Sequence, residues 1–181
     1  MTVKIQTLLV VLLVVGALWP ACAQYEEERP SKFGIKLVGF LPSGSKLRHI
    51  GSPWFGPAVD WYLRFDEDGR PTSYASVGLL GSGSGYVEAS NYPVTYTKLH
   101  RRPISITRSS YTGYGAGIYR LNYRVSGYLN DTTWLPGLHV LYGQEFSDSY
   151  FAEVRFDWLP TKWRTQSWGG IYLNIGMRIS M

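Results

Sequence analysis

Cysteine is nearly missing from this chain of 181 residues: the single one is Cys22, so no disulfide framework and no thiolate metal site can be built. Charge is sparse as well, at 17% Asp, Glu, Lys and Arg against roughly 25% in ordinary soluble domains, which argues against a coiled coil and a disordered chain. No apolar run reaches the eighteen residues of a membrane-spanning helix. Only three histidines occur, His49, His100 and His139, with no metal-ligand spacing among them, and no metal or other cofactor is expected. What the chain does have is 14 Tyr, 7 Trp, 7 Phe and 20 Gly, the composition of aromatic-rich strands joined by tight turns.

The first residues read as a secretory signal. Lys4 precedes an apolar or small run from Leu8 to Leu18, and Ala21-Cys22-Ala23 supplies small residues at a cleavage site before Gln24. The run is too short to cross roughly 30 Å of hydrocarbon as a helix. The expected organisation is therefore a signal peptide over 1–23, a short polar tail over 24–31 and one β domain over 32–181. Removing Lys4 from the 18 basic residues leaves 17 against 13 acidic, a formal charge of +4. So small and scattered an excess, on an exported chain, excludes nucleic acid as a partner.

Beyond the tail, apolar residues recur every second position. Eight strands are expected, at about 33–41, 55–65, 72–81, 92–108, 111–124, 134–143, 150–158 and 171–179. A bulge is expected between Lys98 and Pro103, where Leu99 falls out of step and Pro103 interrupts the ladder. Longer connections at 42–53, 82–91, 125–133 and 160–167 alternate with short ones at 66–71, 109–110 and 146–149. Eight antiparallel strands in sequence, with one trimmed rim and one elaborated rim, predict an all-β, up-and-down transmembrane barrel with a filled lumen. Closure removes the sheet edges that would otherwise pair with other chains.

Alternation alone does not say which face meets lipid. An outward Arg155 would cost about 2–4 kcal/mol near a bilayer midplane, so in a membrane the charged face must be the inner one. Eight strands enclose only enough room for side chains. Lys36, Arg64, Arg120, Arg155 and Arg178 are therefore expected to pair inside with Asp60, Glu153 and Asp157, helped by His139 and Asn174, leaving no pore. Trp54, Trp61, Phe65, Tyr92, Tyr111, Tyr123, Trp134, Tyr150, Trp158 and Trp168 lie toward strand ends, where amphipathic rings suit a membrane interface. The stripe Gly113, Gly115, Gly117 is read as bare backbone receiving aromatic packing, because no helix follows for a dinucleotide site.

The C-terminal segment Asn174-Ile175-Gly176-Met177-Arg178-Ile179-Ser180-Met181 resembles the insertion signal of outer-membrane barrels, with Asn174, Gly176, Ile179 and Met181 at the marked positions. Together with Tyr114-Gly115-Ala116-Gly117-Ile118-Tyr119, and with Gly143-Gln144-Glu145-Phe146 ahead of Tyr150–Phe156, it resembles the small OmpX/OmpW-type β-barrel family over residues 32–181. Met181 departs from the terminal aromatic usual there. The resemblance implies an outer-membrane location, a monomer, and the barrel assembly machinery and outer-membrane lipid as partners. Lys46, Arg48, Lys162 and Arg164 in the long connections could meet lipopolysaccharide phosphates.

No catalysis is expected. His139 is followed by Val140-Leu141, not by the His-x-Ser pair of lipid A deacylases, and residues i and i+4 on a strand, such as Asp60 and Arg64, stand roughly 13 Å apart. Asn130-Asp131-Thr132 matches a glycosylation acceptor but reads as a polar loop tip. The resulting expectation is an envelope protein with a structural or surface-interaction role. Its rivals are a lipid-modifying barrel enzyme and a soluble calycin-like carrier with an apolar interior.

Overall fold

The computed structural model describes residues 31–83, 86–103, 109–147 and 149–179; the segment 1–23 expected to be a signal peptide, Ile104, Ile106 and Met181 lie outside them. Nine strand segments follow in order: β1 (Phe33–Pro42), β2 (Trp54–Phe65), β3 (Pro71–Gly78), β4 (Leu80–Gly83), β5 (Val87–Pro103), β6 (Ser109–Val125), β7 (Leu129–Glu145), β8 (Tyr150–Trp158) and β9 (Gly170–Ile179). One short helix, α1 (Ser45–Ile50), sits between β1 and β2. All strand pairs are antiparallel, and β1 pairs with both β9 and β2, which closes the sheet. Segments β3 and β4 both bridge β2 to β5 and are two parts of one wall strand, broken at Leu79. The wall is thus the expected eight-stranded barrel.

The break has a local cause. Gly56 on β2 approaches Leu79 so closely that a Cβ built on it would stand 1.6 Å from the Leu79 carbonyl oxygen. Only bare backbone fits there, and the third wall strand kinks around it.

Three features differ from the sequence reading. First, β5 and β6 pair without a register shift from Val87↔Val125 to Pro103↔Ser109, so there is no bulge at Lys98–Pro103 on that side. Leu99 is in step with Thr95 and Thr97, and all three face inward. The irregularity falls instead in β2, where the register to β3 shifts on both sides of Arg64. Second, the connections expected at 82–91 and 125–133 are largely strand. Segments β5, β6 and β7 each run 17 residues, and β7 from Leu129 to Gly137 pairs with β6 alone, above the last β8 partner of Leu138. Third, Ser109 and Ser110 belong to β6 rather than to a link.

The elaborated end is closed by packing. Leu47 and Ile50 of α1 join Phe40, Trp54, Trp168 and Leu159 in one buried apolar cluster. Edge-on ring pairs Phe40–Trp54 and Trp54–Trp168 fill its centre. The two long connections are tied together over it: Ser43 N–H donates to the Gly169 carbonyl at 2.8 Å, and the Ser43 hydroxyl meets that of Ser167 at 2.9 Å. The trimmed end has its own smaller cluster of Tyr62, Tyr74, Leu99, Tyr111 and Leu141.

Candidate functional site

Between those two clusters the lumen is ionic. Lys36 of β1 stands 2.8 Å from Asp60 of β2 and 3.5 Å from Glu153 of β8, with all three buried. Glu153 also accepts from the Tyr111 hydroxyl at 3.0 Å and from Asn174 Nδ2 at 3.1 Å. Toward the elaborated end, Arg155 grips Asp157 with a hydrogen bond from Nη2 to Oδ2 at 2.9 Å and an ion-pair contact of Nε with Oδ1 at 2.7 Å, and lies 4.3 Å from the centre of the Tyr172 ring. Such two-pronged pairing restores much of the solvation that a charge loses on burial.

A second ionic group closes the trimmed end. Glu145 of β7 receives Arg101 of β5, Arg178 of β9 and the Ser109 hydroxyl of β6. Arg101 also donates from Nε to the Pro71 carbonyl at 2.8 Å and covers the Tyr111 ring, while Arg178 lies between the Tyr62 and Phe151 rings. One carboxylate thus ties four strands across the mouth. The buried ions balance: Lys36, Arg101, Arg155 and Arg178 against Asp60, Glu145, Glu153 and Asp157.

Of the residues proposed from sequence for this interior, Lys36, Asp60, His139, Glu153, Arg155, Asp157, Asn174 and Arg178 point inward and all but His139 belong to these ionic groups. Arg64 and Arg120 do not: both are exposed on the outside. The β2 irregularity turns Arg64 out and brings Phe65 against the inner cluster at the trimmed end. In β6 the odd residues face inward throughout, so Tyr119 and Leu121 are buried and Arg120 is outside. Sequence reasoning gave those residues the opposite phase because it assumed an inside that is polar at every level; the upper lumen is apolar. It also missed Arg101, Ser109 and Glu145; for Arg101 the signal was the unbroken odd-numbered phase from Thr95 to Arg101.

The signal residues of the last strand are placed in part. Asn174 is in the ionic network, Ile179 is buried, and Gly176 leaves room for the Phe151 ring, which a Cβ would approach to 2.5 Å. Glycines elsewhere inside act likewise. A Cβ on Gly115 would meet the His139 ring at 2.6 Å, and one on Gly143 would meet Tyr111 at 2.2 Å. Because the Tyr111 hydroxyl is anchored on Glu153, its ring has little freedom to retreat. Gly143→Ala should therefore lower stability by roughly 1–3 kcal/mol, measured as a urea midpoint in liposomes. In a Tyr111→Leu background the same change should cost much less; an unaltered cost would show that the ring is not the obstacle.

The histidines are dispersed. His49 bonds the Ser45 carbonyl within α1, His100 stacks on Tyr114 on the outer wall, and His139 meets the Thr97 hydroxyl at 2.9 Å inside. Thr97 and His139 are a hydroxyl and a base in contact, but both are buried in the wall's interior. No group of His, Cys, Asp and Glu among the described residues has the geometry of a metal site.

Outside, the wall is apolar. Leu37, Val59, Val77, Val94, Ile118, Val140, Val154, Leu173 and Ile175 are all exposed, Ile175 by 69%. Rings bracket this band. Phe55, Tyr92, Trp134 and Trp158 lie toward the elaborated end, and Phe33, Trp61, Tyr114, Tyr142 and Tyr150 toward the trimmed end. Trp54, Tyr111 and Trp168, expected among such rings, are buried inside instead.

No family model matches the sequence, and no curated protein matches it. Solved structures do match. Neisserial surface protein A aligns with 16% identity and a TM-score of 0.61, covering 83% of this chain and 98% of that one. The N-terminal β-barrel domain of Pseudomonas aeruginosa OprF aligns with 10% identity and a TM-score of 0.51, covering 84% of this chain and 100% of that one. The resemblance read from the sequence thus holds at the level of fold: the chain is a closed eight-stranded antiparallel β-barrel like those of small outer-membrane proteins.

Proposed function

We propose that this chain is an outer-membrane barrel whose role is structural or is exercised through the surface at its elaborated end, without a conducting pore or a catalytic centre. The observation that carries this reading is the inversion of the usual globular pattern. The exposed wall is an apolar band bracketed by aromatic rings, while eight ionisable side chains are paired inside. Water would penalise that exterior, and hydrocarbon rewards it. A soluble carrier of an apolar ligand needs the reverse arrangement. A lipid-modifying enzyme needs polar groups converging at the rim, whereas the three histidines stand apart on the helix, the outer wall and the lumen.

The partners follow from the same placement. Lipid surrounds the band, the last strand with Asn174, Gly176 and Ile179 is the segment offered to the assembly machinery, and the exposed bases Lys46, Arg48 and Lys162 face outward at the elaborated end. Cell fractionation with gel mobility before and after boiling tests the reading. The expected result is a membrane-bound band whose mobility changes on boiling; a soluble, boiling-insensitive band overturns it. Leu173→Arg, in the middle of the band, should cost about 2–4 kcal/mol in liposomes. A neutral outcome would place that face in water.

A further inference from the structure

Arg120 lies on the outer wall in a setting that the lumen network does not explain. It is directly paired with Tyr92 of β5 on one side and Trp134 of β7 on the other, and its guanidinium carbon sits 5.7 Å and 6.0 Å from those two ring centres. The outward row below it is Val94, Ile118 and Pro136; the row above is Ser90, Asn122 and Thr132. Composition therefore changes from wholly apolar to wholly polar across Arg120, over about 13 Å of strand. That is where hydrocarbon gives way to headgroups.

The cation at this boundary has no carboxylate partner among the described residues. The nearest outward acid along the strands, Glu88, is engaged by Arg124 at 3.7 Å. One row above Arg120, the Thr132 hydroxyl donates to Asn122 Oδ1 at 2.8 Å, which fixes the amide and leaves its N–H groups to donate elsewhere. An exposed guanidinium, flanked by two rings and standing beside an oriented amide and the Ser90 hydroxyl, is a receptor for a tetrahedral oxyanion. Its height on the wall selects the anion's carrier.

We propose that Arg120, with Asn122 and Ser90 beside it, binds the phosphate of a lipid headgroup, the acyl chains running down over Val94 and Ile118. This rests on the membrane reading above and names a lipid contact for it. In the test, the full chain is inserted into phosphatidylcholine nanodiscs carrying either bis-phosphorylated lipid A or the same glycolipid stripped of both phosphates. Retained glycolipid is counted by native mass spectrometry for the wild type, Arg120→Gln and Arg64→Gln. Arg64 is an exposed arginine elsewhere on the wall and serves as the control. Retention of the phosphorylated form should fall about fivefold in Arg120→Gln and stay unchanged in Arg64→Gln. The stripped glycolipid should be poorly held by all three, and excess inorganic phosphate should not displace the bound lipid. Equal retention by wild type and Arg120→Gln, equal loss in Arg64→Gln, or displacement by inorganic phosphate would each overturn the site. A chain that stays outside the bilayer removes the membrane reading too, whereas an inserted barrel indifferent to position 120 removes only this assignment.

Discussion

Lys36→Met should be among the most damaging single substitutions in the barrel, lowering its unfolding free energy by about 3–5 kcal/mol. The reason is an imbalance in the middle of the lumen. Lys36 is the cation shared by Asp60 and Glu153, at 2.8 and 3.5 Å, and all three side chains are almost wholly excluded from solvent. Removing it strands two carboxylates in a space of low polarity. Asp60→Asn should cost less, because Lys36 and Glu153 remain as a neutral pair with Tyr111 and Asn174 still bonded to the glutamate. The triple change Lys36→Met, Asp60→Asn and Glu153→Gln should recover much of the loss, since no charge is then left in this layer. Urea titration in liposomes, followed by tryptophan fluorescence, measures all three variants. If Asp60→Asn proves as costly as Lys36→Met, charge balance is not what holds this layer.

The wall was legible in the sequence because its signal is repetitive. In β8 and β9, Val154, Phe156, Leu173 and Ile175 alternate with Glu153, Arg155, Asp157 and Asn174, and every one of these faces the side that alternation assigns. The same rule failed where the two faces do not differ in polarity. At Tyr119 to Tyr123 the lumen is apolar, so inward Tyr119 and Leu121 look like lipid-facing residues and outward Arg120 looks like a lumen charge. At Arg64 the rule was defeated by a register shift, which depends on how β2 meets β3 and leaves no local mark on composition. Loop lengths misled for a related reason. Ser and Gly at 82–83 and Asn, Asp and Thr at 130–132 suggest turns, yet pairing of β4 with β5 and of β7 with β6 makes both stretches strand.

Ionic partners were harder to read than faces. Period two says that Lys36, Asp60 and Glu153 share the interior but not that β1 lies between β2 and β9, with β8 next beyond β9. That adjacency comes from closure. Closure also brings Arg101, Ser109, Glu145 and Arg178, which span 78 positions of the chain, to one point at the trimmed mouth.

At that mouth the stoichiometry is reversed, and so is the expected order of effects. One carboxylate, Glu145, serves two guanidinium groups, Arg101 and Arg178, and the Ser109 hydroxyl. Glu145→Ala leaves two partly buried cations facing each other and should cost about 3–5 kcal/mol. Removing either arginine instead leaves a neutral pair, so Arg101→Ala and Arg178→Ala should each cost less than Glu145→Ala. Between them, Arg178→Ala should be the larger loss: Arg178 packs between the Tyr62 and Phe151 rings and both lose contact, whereas Arg101 covers Tyr111 alone. Because the middle triad of Lys36, Asp60 and Glu153 carries one excess negative charge and this group one excess positive, each mutes the other's imbalance. Neutralising both excesses together, with Asp60→Asn and Arg101→Gln, should therefore be less costly than the two single changes added. A cycle in the same liposome assay would decide this, and strict additivity would mean that the two ionic groups act independently.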